Sequence, residues 1–268
     1  MSVIPSRYFY PSLMGLCASL LYAANPSFSP STAASNRIIE TTLILSGVFC
    51  GYYLASLKPC VRKSKMHFNT ASLHQKVVPF LVPLLLVLIH PPPFTMALQF
   101  IFAGLLTLGY YLKWDTAKGI FGGLRSLPFL KNIILALAWA LTTVPLSNES
   151  GHLLFLHRFL FLAALSIVID LRDLEQDRLA ALHTFPMHFD VRITRLAGVL
   201  LLTLSAFTGY LYTQKTQPDT LWNVILFSTV LTCLSIYLLR PNNSHTAFLL
   251  HIDGNLLLYS ILTFVAYR

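Results

Sequence analysis

Residues 152–178 read HLLFLHRFLFLAALSIVIDLRDLEQDR and join a long apolar run to a cluster of acidic residues. The apolar part, 152–170, approaches the roughly 20 predominantly apolar residues that a helix needs to cross the hydrocarbon core of a bilayer. Four carboxylates then fall within the eight positions 170–177, although the whole chain has only 10 Asp and Glu residues. This stretch therefore predicts a membrane-spanning helix that ends in concentrated negative charge.

The same apolar bias extends over the whole chain. Of its 268 residues, 55% are hydrophobic and only 11% are charged, whereas soluble domains carry about 25% charged residues. The formal net charge is +9, but the basic residues stand between apolar runs, where they indicate membrane topology and not a nucleic-acid surface. The sequence predicts an all-α, polytopic membrane bundle that forms one integral-membrane domain over residues 1–268.

Nine apolar runs can be counted, and their order predicts the topology. They cover residues 8–24, 38–57, 73–90, 94–112, 132–147, 152–170, 195–213, 220–239 and 246–267. Lys and Arg concentrate in alternate connections, so the positive-inside rule predicts a cytoplasmic amino terminus and, after nine spans, a carboxyl terminus outside. The first run could also be a secretory signal, but a retained span fits the charge alternation better. The lack of other targeting elements suits a bacterial inner membrane.

The acidic cluster has a helical spacing that suggests a metal site. If the helix continues past residue 170 at roughly 100° per residue, the side chains of Asp170, Asp173 and Asp177 fall within an arc of about 60°. Three carboxylates this close repel one another unless a cation lies among them. Magnesium is the natural candidate, because it binds carboxylate oxygens together with waters and substrate phosphates. The cluster could therefore bind a diphosphate through Mg²⁺ at the membrane edge.

A purely structural interpretation of the same residues is also open. Charged residues commonly end transmembrane helices, and Arg172, Glu175 and Arg178 could pair with their neighbours on a solvated face. The spacing alone does not decide between this arrangement and a metal site.

Further ionisable residues lie within the predicted spans. Arg158 belongs to the sixth run and Asp253 to the ninth, and such groups usually face the bundle interior or pair with one another because they are costly in lipid. The depth of Arg158 along its predicted span is closer to that of Glu40 than to that of Asp253. We expect Asp253 to be a catalytic acid, base or acceptor-binding group, with a hydrogen-bonded helix contact as the alternative.

The stretch DLRDLEQDRLAALHTFP, residues 170–186, resembles the second aspartate-rich motif of the UbiA-type membrane prenyltransferases. In that family a D-x-x-D-x-x-x-D helix is followed by Arg and then by a Thr-x-Pro turn. The matching positions here are Asp170, Asp173, Asp177, Arg178, Thr184 and Pro186. The family has nine helices and a cytoplasmic amino terminus, in agreement with the topology above. LRSLPFLKN at 124–132 is a weaker second similarity.

The resemblance implies a fold and a chemistry. Members of the family bind a prenyl diphosphate with Mg²⁺, ionise the allylic carbon–oxygen bond and transfer the prenyl group to an aromatic or other hydrophobic acceptor. Applied to this chain, it implies a UbiA-like bundle in contact with membrane lipid, metal ligands at Asp170, Asp173 and Asp177, and a catalytic role for Asp173. Basic side chains would bind the diphosphate; the candidates are Arg178, Lys118, Arg125, Lys131 and Arg62.

One departure from the family pattern is large. The family carries a first aspartate-rich motif after the second span, whereas this chain has no Asp or Glu between Glu40 and Asp115 and has Lys58, Arg62 and Lys63 in that region. Two explanations are open. The basic segment could bind the diphosphate directly, or the chain could have lost prenyl transfer and kept the scaffold to bind a lipid or a quinone.

Overall fold

The computed structural model describes residues 9–24, 34–56, 81, 83, 85, 87–89, 92–111, 114–116, 119–121, 130–146, 149–179, 184–216, 219–241 and 243–267. Nearly all of these residues are helical. The helices with complete bounds are α1 (Phe9–Ala23), α2 (Ala34–Ser56), α3 (Phe94–Tyr111), α4 (Leu130–Thr143), α5 (Glu149–Leu179), α6 (Phe185–His188), α7 (Val191–Thr216), α8 (Asp219–Leu238), α9 (His245–Phe248) and α10 (Gly254–Ala266).

The predicted all-α bundle is confirmed. Each of the nine predicted apolar runs contains helical residues in the part of the chain that the structure describes. Helix α5 continues to Leu179, nine residues beyond its apolar run, so the acidic cluster lies on an uninterrupted extension of the span. This continuity puts Asp170 and Asp177 on the same helix.

Two local features depart from the predicted pattern of runs. A short antiparallel hairpin lies between α3 and α4 and pairs β1 (Trp114–Thr116) with β2 (Gly119–Phe121). In the last span, a π-helical turn at Leu249–Asp253 separates α9 from α10. Apolar composition alone does not distinguish a π-turn from an α-turn, because both bury the same kinds of side chain.

The outward faces of the bundle are apolar, as a lipid solvent requires. Among the residues that the structure describes, four helical segments are long and apolar enough to cross a membrane, namely Gly151–Glu175, Val191–Thr216, Thr220–Leu238 and Thr246–Ala266. On α7 the exposed side chains include Leu196, Leu200, Leu204 and Phe207, which recur at helical spacing on one face. The protein is an integral membrane protein; the orientation of its termini and the bacterial inner membrane remain predictions.

Helix α5 runs through the interior and packs against α4 and α7. Small residues on α7 allow the close approach: a Cβ atom on Gly198 would lie 2.9 Å from Cγ2 of Val168, and one on Gly209 would lie 3.0 Å from Nδ1 of His157. Small residues at helix interfaces are the usual means of close packing in membranes. The polar atoms of α5 can therefore reach the backbone of its neighbours.

Polar contacts tie the middle of α5 to the surrounding helices. The imidazole of His157 is buried, with Nδ1 2.8 Å from the carbonyl oxygen of Ser205 and Nε2 2.7 Å from the hydroxyl of Tyr259. The next residue, Arg158, is 1% exposed and donates to the carbonyl oxygens of Thr143 and Leu21. These carbonyls lie at the ends of α4 and α1, where helices have unsatisfied acceptors.

The expected match between Arg158 and Glu40 is not formed. The guanidinium of Arg158 contacts main-chain carbonyls, while a carboxylate oxygen of Glu40 accepts a hydrogen bond from the Tyr22 hydroxyl at 3.1 Å. The similar depth of Arg158 and Glu40 in the membrane therefore did not identify the partner of Arg158. The ends of α4 and α1 supply carbonyl acceptors within its reach instead.

Candidate functional site

The carboxylates of the acidic cluster differ in their burial. Asp170 and Asp177 are 1% and 3% exposed, whereas the side chain of Asp173 retains 23% of its accessible surface. Asp170 and Asp177 are seven residues apart, close to two turns of an α-helix, so they face the same side of α5. This is the side on which α4 begins.

Helix α4 contacts both oxygens of the Asp170 carboxylate. The Lys131 ammonium lies 2.5 Å from Oδ1, and the Asn132 side-chain amide donates to Oδ2 at 2.9 Å. The Asn132 carbonyl oxygen in turn accepts a hydrogen bond from the Ser166 hydroxyl at 2.8 Å. Asp170 is therefore both charge-paired and hydrogen-bonded, as a buried carboxylate must be to avoid a large desolvation cost.

Lys131 also approaches the second buried carboxylate. Its Nζ atom lies 3.8 Å from Oδ2 of Asp177, and its own side chain retains 12% of its accessible surface. One lysine from α4 thus lies beside two acids of α5. The sequence predicted Lys131 to bind the substrate; the structure places it within the acidic cluster.

Asp173 has a different partner. Its two oxygens accept hydrogen bonds from Nε and Nη2 of the adjacent Arg172, at 2.8 Å and 2.9 Å. This is the bidentate geometry in which arginine binds carboxylates most strongly. The structural interpretation of the cluster, in which its charges pair with their neighbours, therefore holds for Arg172.

The predicted Mg²⁺ site can be tested against these contacts. Magnesium requires oxygen ligands at about 2.0–2.1 Å in near-octahedral geometry. Both oxygens of Asp170 are engaged by Lys131 and Asn132, and both oxygens of Asp173 by Arg172. Within the described ranges, no group of three or more His, Cys, Asp or Glu side chains is arranged to bind a metal. The residues as they stand do not fit the ion.

Asp253, predicted as a catalytic residue, lies in the interior at a helix irregularity. It is 3% exposed and closes the π-helical turn Leu249–Asp253. Two residues later, the Asn255 amide donates to the Ser235 hydroxyl at 2.9 Å. Such π-turns occur frequently at functional sites, so the position is compatible with a role in binding an acceptor, and that role stays a prediction.

The remaining predicted substrate-binding residues divide into two groups. Arg178 lies in the last turn of α5 and is exposed. Arg62, Lys118 and Arg125 lie outside the described residues, as does most of the basic segment after the second apolar run. Their contribution to the site therefore stays a prediction.

Sequence reasoning missed two residues of the site, Asn132 and Ser166. A signal for Asn132 was present, since it directly follows Lys131 in the FLKN stretch and is polar at the start of an apolar run. Ser166 gives no comparable signal, because serine is common in membrane helices and its hydroxyl also bonds to its own backbone there. The contact between the two residues fixes the orientation of the amide that faces Asp170.

Comparison with known proteins shows the fold. No family profile matches the sequence, and no curated protein is found to be related to it. A structure of a UbiA homolog from Archaeoglobus fulgidus bound to Cd²⁺ matches 98% of this chain and 99% of its own length, with a TM-score of 0.68 and 15% identity. The same homolog bound to GPP and Mg²⁺ matches 97% of this chain and 98% of its own length, with a TM-score of 0.66 and 14% identity.

A second protein has the same fold. A structure of digeranylgeranylglyceryl phosphate synthase matches 98% of this chain and 93% of its own length, with a TM-score of 0.57 and 15% identity. The chain therefore has the UbiA-type fold, as the motif at 170–186 predicted.

Proposed function

We propose that the protein is a divergent UbiA-like prenyltransferase, which moves a prenyl group from a prenyl diphosphate to an aromatic or other lipid-associated acceptor. One observation carries the proposal: Asp170, Asp177 and Lys131 meet at the end of α5, where the sequence has the second aspartate-rich motif. Support also comes from the fold, since a UbiA homolog of similar structure binds GPP and Mg²⁺.

The chemistry sets distinct requirements for the two ends of the substrate. The allylic carbon–oxygen bond breaks, the diphosphate leaves with the electron pair, and the acceptor forms a bond to the allylic carbon and loses a proton. Positive groups aimed at the departing diphosphate lower the barrier by stabilising the charge that develops on it. In this proposal Arg178, Lys131 and the predicted basic residues Arg62, Lys118 and Arg125 supply that charge.

The other end of the substrate is apolar and needs a water-free environment. The interior of the bundle supplies buried apolar side chains between the helices, among them Phe161, Leu165 and Leu171 of α5. Asp253, buried in the last span, is the candidate to receive the acceptor's proton or to orient its polar group. Asp173, whose partly exposed carboxylate accepts two hydrogen bonds from Arg172, is the candidate that holds this guanidinium in place to meet the diphosphate.

A second candidate function is favoured by the ion pairs. Because Lys131 neutralises Asp170 and Arg172 neutralises Asp173, the acidic cluster has charge partners without any ligand. A protein that has lost prenyl transfer and binds a lipid or a quinone on the same scaffold would need no more than this. The two functions differ in whether diphosphate is released.

The deciding experiment uses the purified full chain in lipid nanodiscs. It is incubated with labelled prenyl diphosphates of several chain lengths and a panel of aromatic and lipid acceptors, once with Mg²⁺ and once with EDTA. Release of diphosphate and formation of a prenylated product are measured. We expect both diphosphate release and product formation in the parent protein, and we expect Asp173→Ala to abolish them because the variant lacks the carboxylate that holds the Arg172 guanidinium in place.

Glu175→Ala is the matched control. Glu175 is an exposed carboxylate on the same helix, so this variant changes the charge equally without touching the buried cluster and should retain activity. If the parent protein releases no diphosphate with any donor or acceptor but binds a prenyl lipid or a quinone, the proposal fails and the second candidate is supported.

A further inference from the structure

The position of Lys131 beside two acids of the cluster distinguishes this site from one in which a metal ion bridges the carboxylates. Its ammonium lies 2.5 Å from an oxygen of Asp170 and 3.8 Å from an oxygen of Asp177. These are the two most buried carboxylates of the cluster. A cation that bridged them would have to occupy the region where the ammonium already lies.

The surroundings keep Lys131 in this position. Lys131 and Asn132 are consecutive residues in the first turn of α4, and they contact different oxygens of the same carboxylate. Ser166 holds the Asn132 amide from the other side. The Asp170 carboxylate that pairs with the ammonium is therefore held by a connected network.

The aspartates of the cluster also have basic side chains beside them without a metal ion. The three aspartates of the motif, Asp170, Asp173 and Asp177, are matched in number by three basic side chains of α4 and α5. These are Lys131, Arg172 and Arg178, of which the first two make direct ion pairs with aspartates. Counting Glu175, four carboxylates face these three basic side chains, and a divalent cation would have to displace the ion pairs of Asp170 and Asp173 to bind those carboxylates.

We infer that the Lys131 ammonium takes the place of a divalent metal ion between Asp170 and Asp177, so that this aspartate motif works without magnesium. A tethered cation has a large advantage over a free ion, because its effective concentration at the site is set by its attachment to the chain. Magnesium is at a further disadvantage because it gives up its water ligands reluctantly.

This inference rests on the proposed function in one respect: it implies that a prenyl diphosphate binds here without a metal bridge to these two carboxylates. An ammonium has three N–H donors, and the contacts to Asp170 and Asp177 use at most two of them. The third can be offered to a diphosphate oxygen. The metal-free state of the motif itself can be tested with no prenyl substrate present.

The test measures Mn²⁺ binding by electron paramagnetic resonance, with purified full-length protein in detergent and Mn²⁺ alone as the probe. Thermal unfolding is followed in parallel with and without Mg²⁺. The parent protein should bind no Mn²⁺ at this site, and its unfolding midpoint should not respond to Mg²⁺. In Lys131→Met, which keeps the length of the side chain and removes its charge, we expect a Mn²⁺ site to appear and Mg²⁺ to raise the midpoint.

Two controls assign the gained site. Adding Asp177→Asn to Lys131→Met should weaken Mn²⁺ binding at least about tenfold, because loss of a group that only hydrogen-bonds to a metal ligand already costs about 10–100-fold in affinity. Lys131→Arg keeps the positive charge and should remain metal-free. If Lys131→Met does not fold, the parent protein and Lys131→Arg still decide the question.

Two results would overturn the inference. One is a Mn²⁺ site in the parent protein that Asp170→Asn abolishes; the other is a folded Lys131→Met that gains no Mn²⁺ site. Neither result depends on prenyl transfer, so the inference and the proposed function can fail separately. Where diphosphate release is observed, the same inference predicts equal rates in EDTA and in Mg²⁺.

Discussion

Helix α5 carries two buried charged sites whose partners are of different kinds. At Arg158 the guanidinium donates to the main-chain carbonyls of Thr143 and Leu21, whereas at Asp170 the carboxylate accepts from the side chains of Lys131 and Asn132. The two sites are twelve residues apart, about 18 Å along the helix. Both are 1% exposed, so burial does not distinguish them.

The difference in partners indicates a difference in role. Carbonyls at helix ends are fixed by the backbone and cannot turn toward a ligand, which suits a site that holds α1 and α4 against α5. Side chains such as Lys131 can exchange one partner for another. Of the two sites, the one at Asp170 can therefore take part in ligand binding, and the one at Arg158 fixes the bundle around it.

The two sites also differ in which buried group a substitution leaves without a partner, and this difference ranks the expected losses of stability. Asp170→Ala should have the largest effect on stability, because it leaves the Lys131 ammonium in a mostly buried position without its nearest carboxylate. Breaking one side of a buried ion pair costs about 3–5 kcal/mol, and we expect about 3 kcal/mol because Asp177 remains nearby. Denaturant or thermal unfolding in detergent measures the change.

Asp170→Asn is the informative control for this prediction. It removes the charge but keeps an oxygen that can accept from Asn132, so it should be less destabilising than Asp170→Ala. Equal losses for the two variants would show that the charge pair with Lys131, which both variants remove, accounts for the whole effect, and that the hydrogen bond from Asn132 contributes nothing measurable.

Much of this architecture could be predicted from the sequence, because apolar runs and acidic spacing are local properties of the chain. The span before Asp170 and the placement of the three aspartates on one helix follow from such patterns. The partner of Asp170 does not, since Lys131 is 39 residues away and only the packing of α4 on α5 brings it there. A positive residue predicted to face the substrate thus proved to lie against the acids.

The second-largest effect is expected for Arg158→Met. The variant leaves two buried carbonyl oxygens, at Thr143 and Leu21, without the donors that Arg158 provides. Each such loss costs about 1–3 kcal/mol, but removal of a buried charge also removes its desolvation cost. We expect a net loss of about 2 kcal/mol in the free energy of unfolding.

One result would contradict this ranking of the losses of stability at the two sites. If Arg158→Met were more destabilising than Asp170→Ala, then the uncharged acceptors would matter more than the uncompensated ammonium, and the distinction between the two sites would fail. Arg158→Lys serves as a control, since it keeps the charge but cannot reach two carbonyls in a fork, and it should fall between Arg158→Met and the parent protein.

Tyr259→Phe tests a neutral contact beside Arg158. The variant removes the hydroxyl that lies 2.7 Å from Nε2 of His157 and keeps the ring that packs on Phe161. Interhelical hydrogen bonds in membrane proteins contribute about 0.6 kcal/mol on average, and we expect a loss of that size in unfolding experiments. A loss several times larger would mean that the His157 network acts as one cooperative unit.

The smallest effect on stability is expected for Asp173→Ala, although the same variant should abolish diphosphate release. Asp173 and Arg172 form their ion pair with 23% and 18% of their side-chain surface accessible, so the arginine that remains can be solvated. Exposed pairs contribute about 0–1 kcal/mol, and we expect less than about 0.5 kcal/mol by thermal unfolding. An unchanged stability with lost activity would separate Asp173 from Asp170, whose removal should lower stability. A large loss of stability would instead mean that the packing of α5 depends on the Asp173 carboxylate, as it is expected to depend on the buried acids.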